Sequence, residues 1–262
     1  MKKFRFLFLV PAIFAMVACN GLGKGKEIKA EKAKEIAQGM KDTKQPEDFE
    51  IYIEMTSYDA EEKTNSKSNY TLKQNAAGEF YAAMKSETTG GDRAYNMDVE
   101  AYKVKDDKYE EVIYMKSYDA DEKKEEIDVY VKKGNETTYA YAEAQVGYEI
   151  GSLTVYLTSA DELVAAIEAA EKESAANDNI EVKYYSNGAD NLTIQEIAKE
   201  TDDEKSQFGE SSITFDKGLL TETTTKFENK AGDKIDMKIT CKYPKSVKID
   251  LPSGWESHIQ AQ

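Results

Sequence analysis

Few side chains in this 262-residue chain could do covalent or metal chemistry. It has two cysteines, Cys19 and Cys241, and one histidine, His258. A zinc site needs several thiolates or imidazoles at close spacing, so this set excludes one. His258 lies close to the C-terminal end, where a side chain is normally just solvated. Carboxylates are abundant, with 50 Asp and Glu. That abundance makes a pair such as Asp202 and Asp203 uninformative for acid–base work. The run Asp119-Ala-Asp-Glu-Lys-Lys-Glu-Glu-Ile-Asp128 has Asp at loop positions one and three, but Lys123 at five and no Gly at six break the calcium-loop pattern. No Gly-x-Ser-x-Gly elbow occurs. The expectation is a non-enzymatic protein with no metal and no cofactor.

Charge narrows the partners. The chain carries 35 Lys and Arg against 50 Asp and Glu, a net charge of -15. Binding nucleic acid through its phosphates needs clustered cations, so no nucleic acid is expected. Arg5 and Arg93 are the only arginines, which leaves little bidentate recognition of phosphate or carboxylate.

Cys19 stands at an informative place. A basic start with Lys2, Lys3 and Arg5 is followed by an apolar run from Phe6 to Ala18. That run is too short for an ordinary membrane-spanning helix, which needs about 20 residues. It reads as an export signal, residues 1–18. Its end, Met16-Val-Ala-Cys19, resembles the lipobox of bacterial lipoproteins, with Met16 where Leu is usual. The resemblance implies cleavage between Ala18 and Cys19 and acylation of Cys19. Ordinary secretory cleavage is the alternative. Removing residues 1–18 takes away three cations and no acid, leaving 32 basic against 50 acidic residues. Anionic headgroups repel such a body, so membrane contact is expected through the lipid on Cys19 alone. Residues 19–26 form a tether in which Asn20-Gly-Leu-Gly-Lys-Gly-Lys26 spans on the order of 15 Å as a loose coil. As a phosphate loop it lacks both a preceding strand and a closing Lys-Ser/Thr pair.

Behind the tether, periodicity predicts a helix over about Glu27–Lys41, with Ile28, Ala33, Ile36, Ala37 and Met40 on one face. From Asp48 the period becomes two. Phe49, Ile51, Ile53 and Met55 share a strand face, and the alternation returns at Phe80 to Met84, Tyr95 to Val99 and Ile127 to Val131. Polar turns separate these runs, which predicts an antiparallel meander. Tyr139 and Tyr141 read as one face of a further strand, able to line a lipid or glycan groove or merely to cover an exposed sheet face. Ser159-Ala-Asp-Glu162 is a capping box for a helix ending near Asn177, and Thr193 with Glu196 predicts a short helix over Ile194–Lys199. Strands are expected at Val182–Tyr185, Ser211–Phe215, Leu219–Phe227, Lys234–Cys241 and Val247–Leu251. Cys241 shares its face with Ile235, Met237 and Ile239, which makes it a buried thiol; the competing reading is a disulfide with Cys19. Residues 51–82 and 111–142 match at 13 of 32 positions, including Ser57-Tyr-Asp-Ala60 with Ser117-Tyr-Asp-Ala120. The repeat is either a hairpin used twice or two copies of a contact site around Asp59 and Asp119.

The order of elements resembles the lipoprotein-carrier superfamily, the LolA/LolB-like fold. The telling pieces are Ala33-Lys-Glu-Ile-Ala-Gln-Gly-Met40 leading into Phe49-Glu-Ile-Tyr-Ile53, and the ending Ile239-Thr-Cys-Lys-Tyr-Pro-Lys-Ser-Val-Lys-Ile-Asp-Leu-Pro252. The resemblance implies an α+β fold, a strongly curved antiparallel β-sheet (half-barrel) wrapped around two or three helices, in a single domain over 27–252 with a tail at 253–262. It carries over no functional residue, because that family holds lipid through an unspecific apolar lining. Size argues the same way: ten strands about 4.8 Å apart make a sheet nearly 50 Å wide. Two or three helices cannot cover it flat, so it must curl or leave a groove. The leading expectation is a lipid-anchored protein on the extracytoplasmic face of a bacterial membrane, holding a lipid or other hydrophobic ligand in that groove. The alternative is an envelope interaction module with a protein partner and no ligand.

Overall fold

Alternating side chains build most of this protein. In the computed structural model, which describes residues 25–91, 95–119, 123–134, 136–154, 160–201 and 207–259, twelve strands join in one antiparallel sheet. The expected signal, residues 1–18, the expected acylation position Cys19 and most of the expected tether lie outside the described residues.

β1 (Lys26–Ile28) and α1 (Ala30–Met40) begin the described chain. A six-strand meander follows: β2 (Phe49–Asp59), β3 (Thr64–Gln74), β4 (Phe80–Gly90), β5 (Tyr95–Asp106), β6 (Glu110–Asp119) and β7 (Lys124–Val131). α2 (Glu136–Thr154) and α3 (Leu163–Ala176) then lead to a second meander of β8 (Ile180–Gly188), β9 (Asn191–Ala198), β10 (Gln207–Asp216), β11 (Leu219–Asn229) and β12 (Lys234–Lys242). β12 pairs with β2, giving the order β1-β8-β9-β10-β11-β12-β2-β3-β4-β5-β6-β7. The sheet is open and curved, with the three helices on one face: an α+β half-barrel. β7 forms one edge and β1, beside β8, the other, so the segment holding α2 and α3 links the two ends of the sheet.

The cores follow from that path. α1 and α3 pack on each other and on β8 and β9, burying Ala33, Ile36, Ala37, Met40, Leu163 and Ile167 against Ile51, Ile53, Leu72, Leu192, Ile194, Phe215 and Ile239. α2 packs on β6 and β7, where Tyr139, Ala142 and Val146 cover Phe80 and Ile113. On the opposite face Val112, Tyr114, Val129 and Val131 are covered by Leu251, Trp255 and Ile259. Trp255 meets the Tyr109 ring edge-on at 6.0 Å, and Ile259 bridges Val129 on the sheet edge. The C-terminal tail is therefore a docked cover through Ile259. Gly218, in the β10–β11 turn, has φ +78°, and a Cβ there would come within 2.1 Å of the Thr43 hydroxyl just past α1. Glycine is what lets that turn reach the helix end.

Four local expectations are corrected. Ile194–Lys199 is not helical: β9 runs through it, paired on both sides, and the Thr193 hydroxyl bonds the Thr214 hydroxyl at 3.0 Å instead of capping a helix. The β-branched residues Thr193, Ile194 and Ile197 favour the pleat. Tyr139 and Tyr141 lie on α2, not on a strand; Tyr139 is buried, whereas Tyr141 is 74 % exposed. Ala140, Ala142 and Ala144 favour the helix. Val247–Leu251 forms no strand, although Val247 and Ile249 are buried and the Val247 amide donates to Asp48 Oδ1 at 2.8 Å. The first helix starts at Ala30, because Lys26–Ile28 is taken by pairing with Ser186–Tyr184. α3 begins behind a 3-10 turn, Ala160–Glu162, and Glu162 makes no side-chain cap; Ser159 lies outside the described residues.

The internal repeat is a hairpin formed twice. β2–β3 and β6–β7 are equivalent, and Lys63 and Lys123 take the same left-handed conformation, φ 53° and 52°. The copies then part. After β3, Asn75 Oδ1 accepts from the Ala77 and Glu79 amides, Gly78 turns at φ +78° and β4 follows. The second copy has Glu136-Thr-Thr-Tyr139 there, without the glycine, and continues as α2.

Candidate functional site

The helix-bearing face of the sheet is built in cross-strand rows. One row runs Ile28, Tyr184, Ile194, Ile213, Thr223, Ile239, Ile53, Tyr70, Met84, Val99, Ser117, each residue opposite the next. The next row, toward the turn end that carries Asp59, runs Val182, Glu196, Ser211, Thr225, Met237, Met55, Ser68, Ser86, Met97. Between Ser211 and Met97 that second row contains only hydroxyls and thioethers, before it reaches Asp119 on β6. Ser68 and Ser86 share a hydroxyl bond at 2.9 Å, and so do Ser66 and Thr88 beside them. The Ser68–Ser86 pair thus satisfies its own polar groups, and Met55 and Met97 flank it in the row.

Part of this floor is only half covered. Met55, Met84, Met97 and Val99 are half-buried and belong to none of the three packed clusters of described residues. They lie between the strands under α1 and α3 and those under α2. Flexible, polarisable thioethers suit a surface that must fit apolar partners of varied shape. Recesses adjoin the same turn end, but they are shared with the other face: one of about 450 Å³ has Phe227 and Ile235 of this face beside Tyr58 and Phe208 of the other, and one of about 370 Å³ has Ser86 and Met97 of this face beside Lys85, Glu87, Asn96, Asp98 and Tyr118 of the other. Ile235 is 41 % exposed. A third, of about 520 Å³, lies between β1, the start of α1, the C-terminal half of α3 and β8, and is lined by Ile28, Glu171, Ser174, Val182 and Tyr184.

One buried residue of the row carries a carboxyl. Glu196 is 4 % exposed and its Oε2 has no hydrogen-bond partner. Burial, with a further push from Glu173 on α3, raises its carboxyl to about 7. Diagonally across the β8–β9 ladder, the Tyr184 hydroxyl is also buried without a partner, and burial followed by Glu171 raises it to about 12. Glu196 escaped the sequence reading because it sits three residues after Thr193 and mimics a capping box. The available signal was the alternation Leu192, Ile194, Glu196, which puts a carboxylate on an apolar strand face.

A second polar group holds α2. Tyr139 Oη donates to Glu111 Oε2 at 2.9 Å and Lys132 Nζ does so at 3.1 Å, while Lys103 Nζ reaches Glu143 Oε1 at 2.5 Å. Burial alone would raise the Glu111 carboxyl; the bonds from Lys132 and Tyr139 outweigh it and hold the group below its ordinary value. Tyr139 is pushed up by burial and then by Glu111. Tyr139→Phe is expected to cost about 1–2 kcal/mol in urea unfolding with an unchanged m value, because a bond to a charged acceptor is lost inside a packed helix contact.

The residues singled out from sequence do not converge. Cys241 is a buried free thiol opposite Ile51, raised to about 12 by burial, which makes it unreactive. His258 is exposed. The Asp59 and Asp119 turns project from the same end of the sheet but on β2 and β6, four strands apart. Asp59 Oδ1 accepts from the Glu62 amide, a local turn bond. Tyr81, Tyr102 and Tyr114 stack across the face away from the helices, at 4.7 and 5.6 Å between centroids, where they cover sheet. No group of His, Cys, Asp and Glu able to hold a metal occurs among the described residues. Nor is any described helix long and apolar enough to cross a membrane.

No family model matches the chain, and no curated protein does. Among solved structures, it is similar to a β-barrel-like protein of domain of unknown function DUF1849 from Brucella abortus, at 9 % identity over 78 % of this chain and 100 % of that one, TM-score 0.26. It is also similar to a DUF1329 family protein from Desulfovibrio piger, at 10 % identity over 84 % of this chain and 95 % of that one, TM-score 0.24.

Proposed function

We propose that this protein is a lipid-anchored extracytoplasmic lipoprotein that binds or carries a lipid or other hydrophobic ligand on the concave face of its half-barrel. The observation that carries the reading is the floor of Met55, Met84, Met97 and Val99, apolar yet only half-buried among packed neighbours. A core that served stability alone would gain by closing over these side chains, at about 25 cal/mol for each Å² withdrawn from water. The recess of about 520 Å³ between β8 and α3, on the same face, has the size at which ligand pockets begin. Catalysis has no part in the reading, which needs only shape, apolar contact and the anchor at Cys19. The lipobox-like Met16-Val-Ala-Cys19 supports the anchor, and with it a position on the outer face of a bacterial cell membrane.

Two measurements test the two halves separately. Palmitate fed to a bacterial host should label the chain, and Cys19→Ala should abolish the label; an unlabelled wild-type chain overturns the anchor. A fluorescent fatty acid should bind the purified protein and be displaced by unlabelled acyl lipid. Absence of binding leaves an envelope module with a protein partner as the better account.

A further inference from the structure

Among the described residues, two buried side-chain polar atoms have no hydrogen-bond partner, Glu196 Oε2 and Tyr184 Oη, and both belong to the face of β8 and β9 on which α1 and α3 rest. Native interiors rarely leave such groups unpaired, and one that persists calls for a physical reason. We propose that Glu196 is a proton-operated latch: neutral, it lets the α1–α3 pair lie closed on the sheet, and ionised, it loosens the C-terminal half of α3 and opens the adjoining end of the concave face.

The placement supports each part of this. Glu196 stands opposite Val182 on β8 and Ser211 on β10, and Val182 and Tyr184 also line the 520 Å³ recess under α3. The ionisable groups facing it give an anion no relief. From α3 comes Glu173, which acts on it directly; Glu171, which acts on the neighbouring Tyr184, is tied to Lys34 of α1 at 2.5 Å. From β8 comes the Tyr184 hydroxyl. β10 contributes Ser211, while Glu210 belongs to the other face, where Gln195 donates to it at 2.6 Å. An ionised Glu196 is therefore a buried charge with like charge nearby, and moving α3 is the available way to hydrate it. The hold at that end of α3 is light. Ser174 Oγ donates to the Ile180 carbonyl at 2.9 Å, and the Lys34–Glu171 pair is partly exposed.

The sign follows from linkage. The closed form keeps its proton up to about 7, whereas an exposed Glu releases it near 4.5. Opening is therefore favoured progressively as pH rises between these values, on the order of tenfold to a hundredfold from pH 5 to pH 8. The consequence for ligand access rests on the proposed function; the latch itself does not.

The test is hydrogen exchange of the full chain at pH 5, 6, 7 and 8, corrected for the intrinsic pH dependence of exchange. Protection over the second half of α3 should fall tenfold or more with rising pH in wild type and stay flat in Glu196→Gln. The same fall in Glu196→Gln, or no fall in wild type, overturns the latch. Carboxyl-detected NMR gives a check independent of helix motion: a Glu196 midpoint near 4.5 also overturns it. Neither readout involves a ligand, so the latch can fail while acyl-lipid binding holds, and the reverse.

Discussion

Phe215→Ala is expected to destabilise the protein by about 3–5 kcal/mol, the largest loss from any single side chain considered. Phe215 is fully buried on β10, between Leu192 of β9 and Leu220 of β11, and belongs to the cluster that binds α1 and α3 to the sheet. The pairing shifts between Thr214 and Phe215, and such a bulge fixes where the next side chain points. Removing the ring sacrifices its transfer energy and leaves a cavity that flanking strands, held in their ladder, cannot fill. Total stabilities of 5–15 kcal/mol are usual, so the variant should lose a large part of its margin. Urea denaturation should show a much lower midpoint at unchanged slope. A loss under 1 kcal/mol would mean that this half of the sheet is not packed as described.

Glu196→Gln should act in the opposite direction, and only above acid pH. A carboxyl raised from 4.5 to about 7 by burial and Glu173 adds no pH-dependent cost when protonated in both folded and unfolded chains. The cost grows as pH climbs from the unfolded value to the folded one and is constant beyond, reaching about 3 kcal/mol as an upper figure. Gln keeps the shape and removes the charge. Unfolding free energies of variant and wild type should agree at pH 4 and diverge to their full difference by pH 8, with the variant more stable. A variant less stable at pH 8 would show that the carboxylate is paired in the native protein.

Much of the scaffold was legible because its signals are local. Phe49 to Met55 announce a half-buried strand by alternation alone, and Ala33, Ile36, Ala37 and Met40 mark the buried face of α1. The errors arose where two local codes compete. Thr193-Ile-Gln-Glu196 is both a capping box and a piece of alternating strand, and pairing with β8 and β10 decides for the strand. Tyr139 and Tyr141 are two apart like strand neighbours, but the alanines around them propagate a helix, and α2 buries the first and exposes the second. The repeat has the same limit: it holds for the two hairpins, beyond which Tyr81 lies on β4 while Tyr141, at the same offset, lies on α2. The site itself was hidden for a different reason. That Met237 faces Met55, or that Glu196 meets Ser211, depends on register between strands distant in sequence. No window of residues contains that register; it follows from how all twelve strands align.

The central claim is that the concave floor holds an apolar ligand. Native mass spectrometry tests it most directly, on protein made without residues 1–18 and purified without detergent, beside a Met84→Lys variant with the same circular dichroism. Acyl-lipid adducts on the wild-type chain, lost when a charge stands at position 84, are the predicted result. A clean ligand-free mass for the wild-type protein, with no adduct formed on adding acyl lipid, would contradict the account.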